Sequence, residues 1–158
     1  LARREHGLTG VVQSWLGTAL IASTLAANAA VTQIVKHRFQ RPRPFQVDPS
    51  IKPPVKLPRD TSYPSGHTSS AFAAARIISV LRPELADEAY NLAAQVAASR
   101  VYAGVHFPSD VRAGAQLGTQ VAQLALRNLG RADHTPSLAE LHAIGITDAQ
   151  LAGTGLVA

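Results

Sequence analysis

Three observations predict an all-α protein built around a single core. The chain has 158 residues, a length at which one domain buries a substantial interior. Hydrophobic residues make up 46% of it but aromatic residues only 5%, and alanine is the main apolar residue. Alanine has the highest helix propensity, whereas β-sheets are rich in aromatic and β-branched residues. The alanine-rich runs that stop at proline or glycine therefore favour closely packed helices.

The first predicted helix and the loop after it differ sharply in composition. Residues 10–39 are rich in Ala, Leu and Ile and predict one long helix, or two with a break near Gly17. Residues 11–35 have the length of a membrane span, but eight polar residues interrupt them, so we expect a helix buried in the core. Residues 42–64 are rich in proline and lack periodicity, which predicts a loop. A loop of that length is normally functional or mobile.

Proline and glycine also bound the later helices, which we predict over residues 67–81, 84–102 and 108–129. Pro108 suits the first position of its helix, because proline lacks only a donor that is unsatisfied there. We expect one helical domain, residues 1–130, that carries every motif. The tail, residues 131–158, predicts a short helix over 137–144 that either joins this domain or lies at its periphery.

The net charge and the lack of cysteine limit the classes of binding partner and of metal site that the chain can have. A formal net charge of +5 favours anionic partners: phosphate esters, nucleic acid or anionic lipid surfaces. The chain has no cysteine, which excludes disulfides and thiolate metal sites. It begins with Leu1 and contains no methionine, so we interpret it as a trimmed product from which an export signal would already be lost. A periplasmic or secreted location is the expectation, with membrane association as the alternative.

Three separated segments carry the residues that chemistry on phosphate needs. They are Lys36 with Arg43-Pro44, then Pro64-Ser65-Gly66-His67, then Ser99-Arg100 with His106 and Asp110. A phosphoryl group in transfer spreads negative charge over three oxygens, so it requires several fixed donors, a nucleophile and an acid in line. The three segments together supply each of these parts.

The candidate phosphate-binding residues are Lys36, Arg43, Ser65, Gly66 and Arg100. Lysine supplies a point charge, and each arginine can grip two oxygens at once. The Ser-Gly turn opens a helix, whose first N–H groups and dipole attract anions, although alone it would be an ordinary helix cap. Arg43, and not Arg41, has the spacing from Lys36 that is found in the family signature these segments resemble, so we assign Arg41 to the surface together with Arg38.

Two histidines and an aspartate are the catalytic candidates. Asp110 follows His106 closely enough for its carboxylate to accept a hydrogen bond from one ring nitrogen, which leaves the other as a lone-pair nucleophile. His67 opens the helix of the Pro-Ser-Gly-His turn. The remaining histidines lack acidic or cysteine partners at ligand spacing, so no metal site is expected.

The three segments resemble the signature of the type 2 phosphatidic acid phosphatase superfamily, over residues 36–110, and residues 62–68 look most like the soluble bacterial class A acid phosphatases. The resemblance implies a helical bundle of the acid phosphatase and vanadium haloperoxidase type. It further implies a metal-independent phosphatase that hydrolyses phosphate monoesters through a phosphohistidine. His106 would be the nucleophile and His67 the general acid and base. No cofactor is expected, and phosphate or vanadate would fit the same pocket.

Three alternatives remain open. A vanadium-dependent haloperoxidase shares the anion pocket but is generally a longer chain. A membrane phosphatase for phosphatidate or an isoprenyl pyrophosphate usually has several apolar spans, where this sequence offers one marginal segment. A basic module for nucleic acid would use the cluster at residues 36–43, but it lacks an aromatic stacking platform. We therefore expect a small phosphorylated substrate, with a lipid phosphate as the alternative, and no nucleic acid. A homo-oligomer is left open, because the chain looks short at its start beside the class A enzymes.

Overall fold

The computed structural model describes the backbone of residues 2–130 and the side chains of residues 15–130. Within that range the chain is helical and has no strand, which confirms the all-α prediction. The helices are α1 (Ala2–Arg38), α2 (Pro44–Val47), α3 (Gly66–Leu81), α4 (Ala86–Tyr102) and α5 (Pro108–Asn128). The predicted short helix over 137–144 lies outside the described residues.

The helix boundaries follow the proline and glycine signals. Helix α1 runs through Gly17 without interruption, so the alternative of two helices is wrong. The predicted helix 84–102 starts instead as a 3-10 turn, Pro83–Leu85, before α4 begins. The predicted loop 42–64 contains the single-turn α2, which starts at a proline. Gly104 follows α4 with a φ of 66°, a backbone conformation that glycine adopts without steric cost.

Helix α3 is the centre of the fold, and the other long helices pack around it. One side contacts α4 through a cluster in which the ring of Phe72 lies against that of Tyr90. The opposite side contacts α5 and α1 through Ala73, Ile77 and Ala122, with leucine and isoleucine side chains of α1 at the edge. The small alanine side chains in both clusters allow these helices to approach closely. The first turn of α3, which carries the Ser-Gly-His residues, is thereby held from several sides.

Two glycines set the distance between α3 and α5. A Cβ atom at Gly114 would lie 2.5 Å from the carbonyl oxygen of Ser65, and one at Gly118 would lie 1.9 Å from that of Ser69. Both separations are far inside van der Waals contact, and both involve backbone that cannot rotate away. The crossing of α3 and α5 therefore requires glycine at both positions. It also places the start of α3 beside the first turn of α5.

The fully buried residues of α1 form one narrow polar stripe beside a few partly buried apolar side chains, which corrects the expectation of a buried core helix. The residues of this stripe recur every fourth position: Thr24, Asn28, Thr32 and Lys36. Asn28 reaches α3 by accepting a hydrogen bond from the Ser69 hydroxyl at 2.7 Å. Only 17% of the apolar stretch Trp15–Arg38 is buried, and this helix is long and apolar enough to cross a membrane. The eight polar residues interrupt the stretch, but several of them face inward.

The Gly118→Ala substitution should destabilise the fold by about 2 kcal/mol or more, because overpacking at a rigid contact forces the helices apart. Urea unfolding followed by circular dichroism measures this loss. Gly17→Ala is the matched control: its Cβ would meet only the tip of the Leu81 side chain at 3.4 Å, and alanine favours the helix. An unchanged unfolding free energy for Gly118→Ala would contradict the close crossing.

Candidate active site

The first predicted segment places its two cations beside one another through a carboxylate from the loop. Lys36 lies in the last turn of α1, and Arg43 precedes α2 in an extended conformation. The Asp60 carboxylate accepts from Lys36 Nζ at 3.1 Å and from the Arg43 guanidinium at 2.7 Å. Lys36 also donates to the carbonyl of Thr61. The loop thus folds back onto the end of α1, and both cations are buried.

Arg43 uses its whole guanidinium to join the loop to the segment before α5. Its Nε donates to the carbonyl of Asp60, and its NH2 group donates to the Asp60 carboxylate and the Thr61 carbonyl. Its NH1 group donates to the Val105 carbonyl at 2.7 Å and lies 3.2 Å from Nε2 of His106. The predicted phosphate-binding arginine is therefore in direct contact with the predicted nucleophile.

The contact with Arg43 determines the tautomer of His106. A guanidinium has no acceptor, so Nε2 of His106 must offer a lone pair to it, and the ring proton of the neutral imidazole then lies on Nδ1. Burial, together with the positive charges of Arg43 and Lys36, lowers the pKa of His106 below its ordinary value and favours the neutral ring. The ring therefore presents a lone pair on Nε2.

Nδ1 of His106 faces Asp110, as predicted, but at 3.6 Å from Oδ2, which is longer than a hydrogen bond. The reason is that Oδ2 already accepts two shorter bonds, from the Ser62 hydroxyl at 2.6 Å and from the Phe107 N–H at 2.9 Å. The bond to Phe107 caps the start of α5. Asp110 thus holds the segments around His106 through these two bonds, and its predicted orientation of the imidazole remains a prediction.

Burial by itself raises the pKa of Asp110, yet that pKa is lowered to about 2. His106, the Ser62 hydroxyl, the Phe107 N–H and the charge of Arg41 all favour the ionised form. The carboxylate is therefore ionised at neutral and mildly acidic pH. Its backbone contributes as well, because the Asp110 carbonyl accepts from the N–H of Ser65 at 3.0 Å and ties α5 to the start of α3.

The assignment of Arg41 to the surface is only partly right, because its side chain is 38% exposed but also contacts the predicted aspartate. Its guanidinium donates to Oδ1 of Asp110 at 2.7 Å and to the Ser109 hydroxyl, and it stacks 4.1 Å from the ring centre of Phe107. Its carbonyl also accepts from the N–H of Ser62, the residue that holds the other carboxylate oxygen. The spacing from Lys36 excluded Arg41 only from the family signature, and in the structure Arg41 contacts the aspartate instead. Arg38 is exposed, as predicted.

The second segment forms the start of α3, with Ser65 at the cap and Gly66 as the first helical residue. Ser65 is fully buried, and its hydroxyl lies 3.0 Å from that of Thr68. A Cβ at Gly66 would meet the Thr32 methyl at 3.6 Å, an ordinary contact. Packing therefore does not require glycine at position 66, and the predicted close approach of a phosphate remains a prediction.

His67 and Arg100 belong to the same charged neighbourhood. His67 is exposed on one side. Partial desolvation comes first among the effects that lower its pKa, and the positive charges of Arg100 and Arg43 lower that pKa further. Arg100 lies in the last turn of α4, and its carbonyl accepts from the N–H of Val105, next to His106. All three predicted segments thus meet around one cationic centre.

Sequence reasoning missed Asp60 and Ser62 as well as the role of Arg41. Asp60 contacts both predicted cations, and Ser62 contacts the predicted aspartate. Both precede the Pro-Ser-Gly-His turn within five residues of it, inside the predicted loop 42–64. Their closeness to that turn was the one available signal, because a chain that delivers the turn must pass the site.

The geometry defines a class of site. An imidazole with a lone pair faces a buried carboxylate and lies near lysine, arginine and a helix N-terminus, an arrangement that suits the binding of phosphate. Comparison with known families gives the same class. The PAP2 superfamily profile matches residues 16–133, and the chain belongs to this superfamily.

Several characterised relatives are phosphatases. The chain is 35% identical over 91 residues to a non-specific acid phosphatase of Providencia stuartii, covering 55% of this chain and 37% of that protein. It is 35% identical over 95 residues to a decaprenylphosphoryl-5-phosphoribose phosphatase of Mycobacterium tuberculosis, covering 60% and 51%. The chain thus spans between about a third and a half of the length of these relatives.

A solved structure shares the fold. The transmembrane PAP2 type phosphatidylglycerolphosphate phosphatase from Bacillus subtilis superposes with a TM-score of 0.61 at 22% identity. The superposition covers 82% of this chain and 73% of that one. At this identity the likeness establishes the helical architecture.

The Arg41→Gln substitution should lower the unfolding free energy by about 1 kcal/mol at neutral pH, because it removes a charge-assisted hydrogen bond to a buried carboxylate. Because the pKa of Asp110 is lower in the folded chain than its unfolded value of 3.8, the ionised carboxylate stabilises the fold. This stabilisation is complete above pH 3.8 and is lost as the pH falls toward about 2. The difference between variant and wild type should therefore shrink across that interval. Urea titrations at neutral pH and near pH 2 measure it.

Arg38→Gln removes the same charge from an exposed position and should change neither value. A loss in Arg41→Gln that stays constant down to pH 2 would show that Arg41 acts through packing on Phe107 and not through the ionised Asp110.

Proposed function

We propose that this chain hydrolyses phosphate monoesters without a metal ion, by forming and then breaking a phosphohistidine on His106. The observation that carries this proposal is the environment of one imidazole. Its Nε2 lies 3.2 Å from Arg43, and its Nδ1 faces the Asp110 carboxylate. A neutral ring protonated on Nδ1 keeps a lone pair on Nε2, beside a cation that attracts the substrate anion.

The cationic centre would stabilise the charge of the transferring group. Lys36, Arg43 and Arg100 surround the three equatorial oxygens in this proposal, and the N–H groups at the start of α3 add further donors. These groups supply the positive charge that a divalent ion supplies in metal-dependent phosphatases. Arg43 would also position the phosphorus, since it already contacts the attacking nitrogen.

The proposed reaction has two displacements. In the first, the Arg43 N–H that points at Nε2 of His106 turns to a phosphate oxygen and frees the lone pair. Nε2 then attacks phosphorus, the bond from phosphorus to the ester oxygen breaks, and protonated His67 gives its proton to the leaving alcohol. In the second, neutral His67 takes a proton from water, the water oxygen attacks phosphorus, and the phosphorus–nitrogen bond breaks. Inorganic phosphate leaves, and both histidines return to their starting protonation states.

The pKa directions of the two histidines suit these roles in mildly acidic solution. Burial first, and then nearby positive charges, lowers the pKa of His106, so the nucleophile is neutral at lower pH than an ordinary histidine. The same causes lower the pKa of His67, so the general acid loses its proton at lower pH as well. A binding phosphate dianion adds negative charge, which favours the protonated form of His67.

A lipid phosphate is the second candidate substrate, and the surface of α1 favours it. The buried stripe of α1 is polar, while large apolar residues project outward; Trp15 is 72% exposed and Ile34 is 69% exposed. A helix with polar residues facing the protein and apolar residues facing outward is suited to contact with the hydrocarbon of a bilayer. The basic end of α1, at residues 36–38, is also the end that carries the site. A headgroup phosphate at a bilayer surface would then lie within reach of Lys36.

Replacing His106 by Ala should reduce turnover of a soluble aryl phosphate at least about 10³-fold, because the variant lacks the attacking nitrogen. The assay is phosphate release in the presence of EDTA, with His37→Ala as a matched control at an exposed histidine near the end of α1. His37→Ala should retain wild-type turnover.

The same assay run on phosphatidate in detergent-free vesicles compares the two substrate classes. Faster turnover of the aryl phosphate supports the monoesterase, and turnover of the vesicle lipid alone supports the second candidate. Undiminished hydrolysis by His106→Ala on both substrates would eliminate His106 as the nucleophile.

A further inference from the structure

Asp60 occupies the position at which an anion would meet the predicted phosphate-binding cations. One of its carboxylate oxygens lies 3.1 Å from Lys36 Nζ, and the other lies 2.7 Å from the Arg43 guanidinium. These are the distances at which lysine and arginine bind phosphate oxygens. In the part of the chain that the structure describes, Asp60 is the one anionic side chain in contact with either cation.

The donors of Arg43 leave little room for any other arrangement. A guanidinium has five N–H groups, and Arg43 directs them at the Asp60 carbonyl and carboxylate, the Thr61 and Val105 carbonyls and the His106 ring. Three of these acceptors are backbone carbonyls, fixed by the fold, and the fourth is the buried ring of His106. A phosphate that binds Arg43 must therefore take the place of an acceptor already present.

Asp60 is the acceptor that can leave. Its side chain is 45% exposed, whereas those of Lys36 and Arg43 are 6% and 3% exposed. It lies in the loop 42–64, outside the regular helices, so the carboxylate can rotate into water without moving the core. Burial tends to raise the pKa of Asp60, but hydrogen bonds from Lys36 and Arg43 lower it, so the group is ionised when it competes.

We infer that the Asp60 carboxylate holds the place of the substrate phosphate on Lys36 and Arg43, and that a phosphate must displace it in order to bind. This inference rests on the proposed function, because it takes these two cations as the phosphate-binding groups. Without an anion between them, the buried charges of Lys36 and Arg43 would repel each other. When no phosphate is bound, Asp60 therefore also stabilises the folded chain by neutralising this repulsion. Asp60 is thus a specificity-determining residue: a ligand binds only if it satisfies the cations better than a carboxylate does.

A phosphate dianion meets this requirement, since it carries twice the charge of a carboxylate and offers three oxygens to the cluster. A carboxylate or a halide ion does not, because it gains nothing over the group it would replace. The exchange therefore excludes weak anions from a strongly cationic centre. It also links substrate binding to a movement of the loop residue that precedes the Pro-Ser-Gly-His turn.

The test is the inhibition constant of inorganic phosphate against hydrolysis of an aryl phosphate, measured for wild type, Asp60→Asn and Asp60→Ala. Both substitutions remove the competing charge, so phosphate should inhibit at roughly tenfold lower concentration in each. Phosphate binding followed by calorimetry gives the same comparison without turnover. Asp48→Asn is the matched control, because Asp48 is an exposed carboxylate of the same loop that accepts from the N–H of Ser50.

Weaker or unchanged phosphate binding in both Asp60 variants would overturn the inference, since Asp60 would then only orient the two cations. An equal gain in Asp48→Asn would also overturn it, because the effect would reflect the general charge of the loop. If the wild-type chain binds phosphate in the calorimeter but does not hydrolyse the ester, the proposed function is contradicted. The comparison of phosphate binding between wild type and the Asp60 variants then still tests the inference about Asp60. A wild-type chain that binds no phosphate overturns both.

Discussion

The rest of the site depends on the hydrogen bonds that satisfy the buried carboxylate of Asp110. An ionised carboxylate inside a protein costs several kcal/mol unless its oxygens are satisfied. Here one oxygen accepts from Arg41, and the other accepts from Ser62 and from the Phe107 N–H. These donors come from the loop after α1 and from the start of α5. The carboxylate is therefore stable only when both segments are in place, and satisfying it assembles the surroundings of His106.

The main chain of the same residue extends this dependence to α3. The Asp110 carbonyl accepts from the N–H of Ser65, so the first turns of α3 and α5 are joined directly. Gly114 and Gly118 make that approach possible, because any side chain at either position would collide with the backbone of α3. The N-terminus of α3 therefore lies beside Asp110 and the segment that carries His106, because the two glycines of α5 allow the helices to approach.

Local sequence patterns predicted the helices and the three segments that meet at the candidate site. Proline and glycine mark helix ends through their own backbone geometry, so α3 and α5 lie within one residue of their predicted bounds. The pairing of His106 with Asp110 is likewise local, since they are four positions apart where the chain enters α5. The family of the chain was also predictable, because three short segments carry its signature.

Contacts between distant segments could not be predicted in this way. Arg41 reaches Asp110 across 69 positions of the sequence, and no spacing rule links two residues so far apart. Asp60 lies in a loop without periodicity, and its contacts follow from where that loop crosses α1. The role of α1 was predicted wrongly for a related reason: eight polar residues were counted without knowing which face they share. Four of its buried positions form a stripe that faces the protein, so its apolar residues project outward.

The protonation state of a single ring tests this account most directly. Nitrogen-15 NMR of a histidine-labelled chain reports which nitrogen of a neutral imidazole carries the proton. We expect His106 at neutral pH to be neutral, with its proton on Nδ1 toward Asp110 and a lone pair on Nε2 toward Arg43. A proton on Nε2, or a ring that is fully protonated at neutral pH, would mean that the nitrogen assigned to attack phosphorus cannot do so.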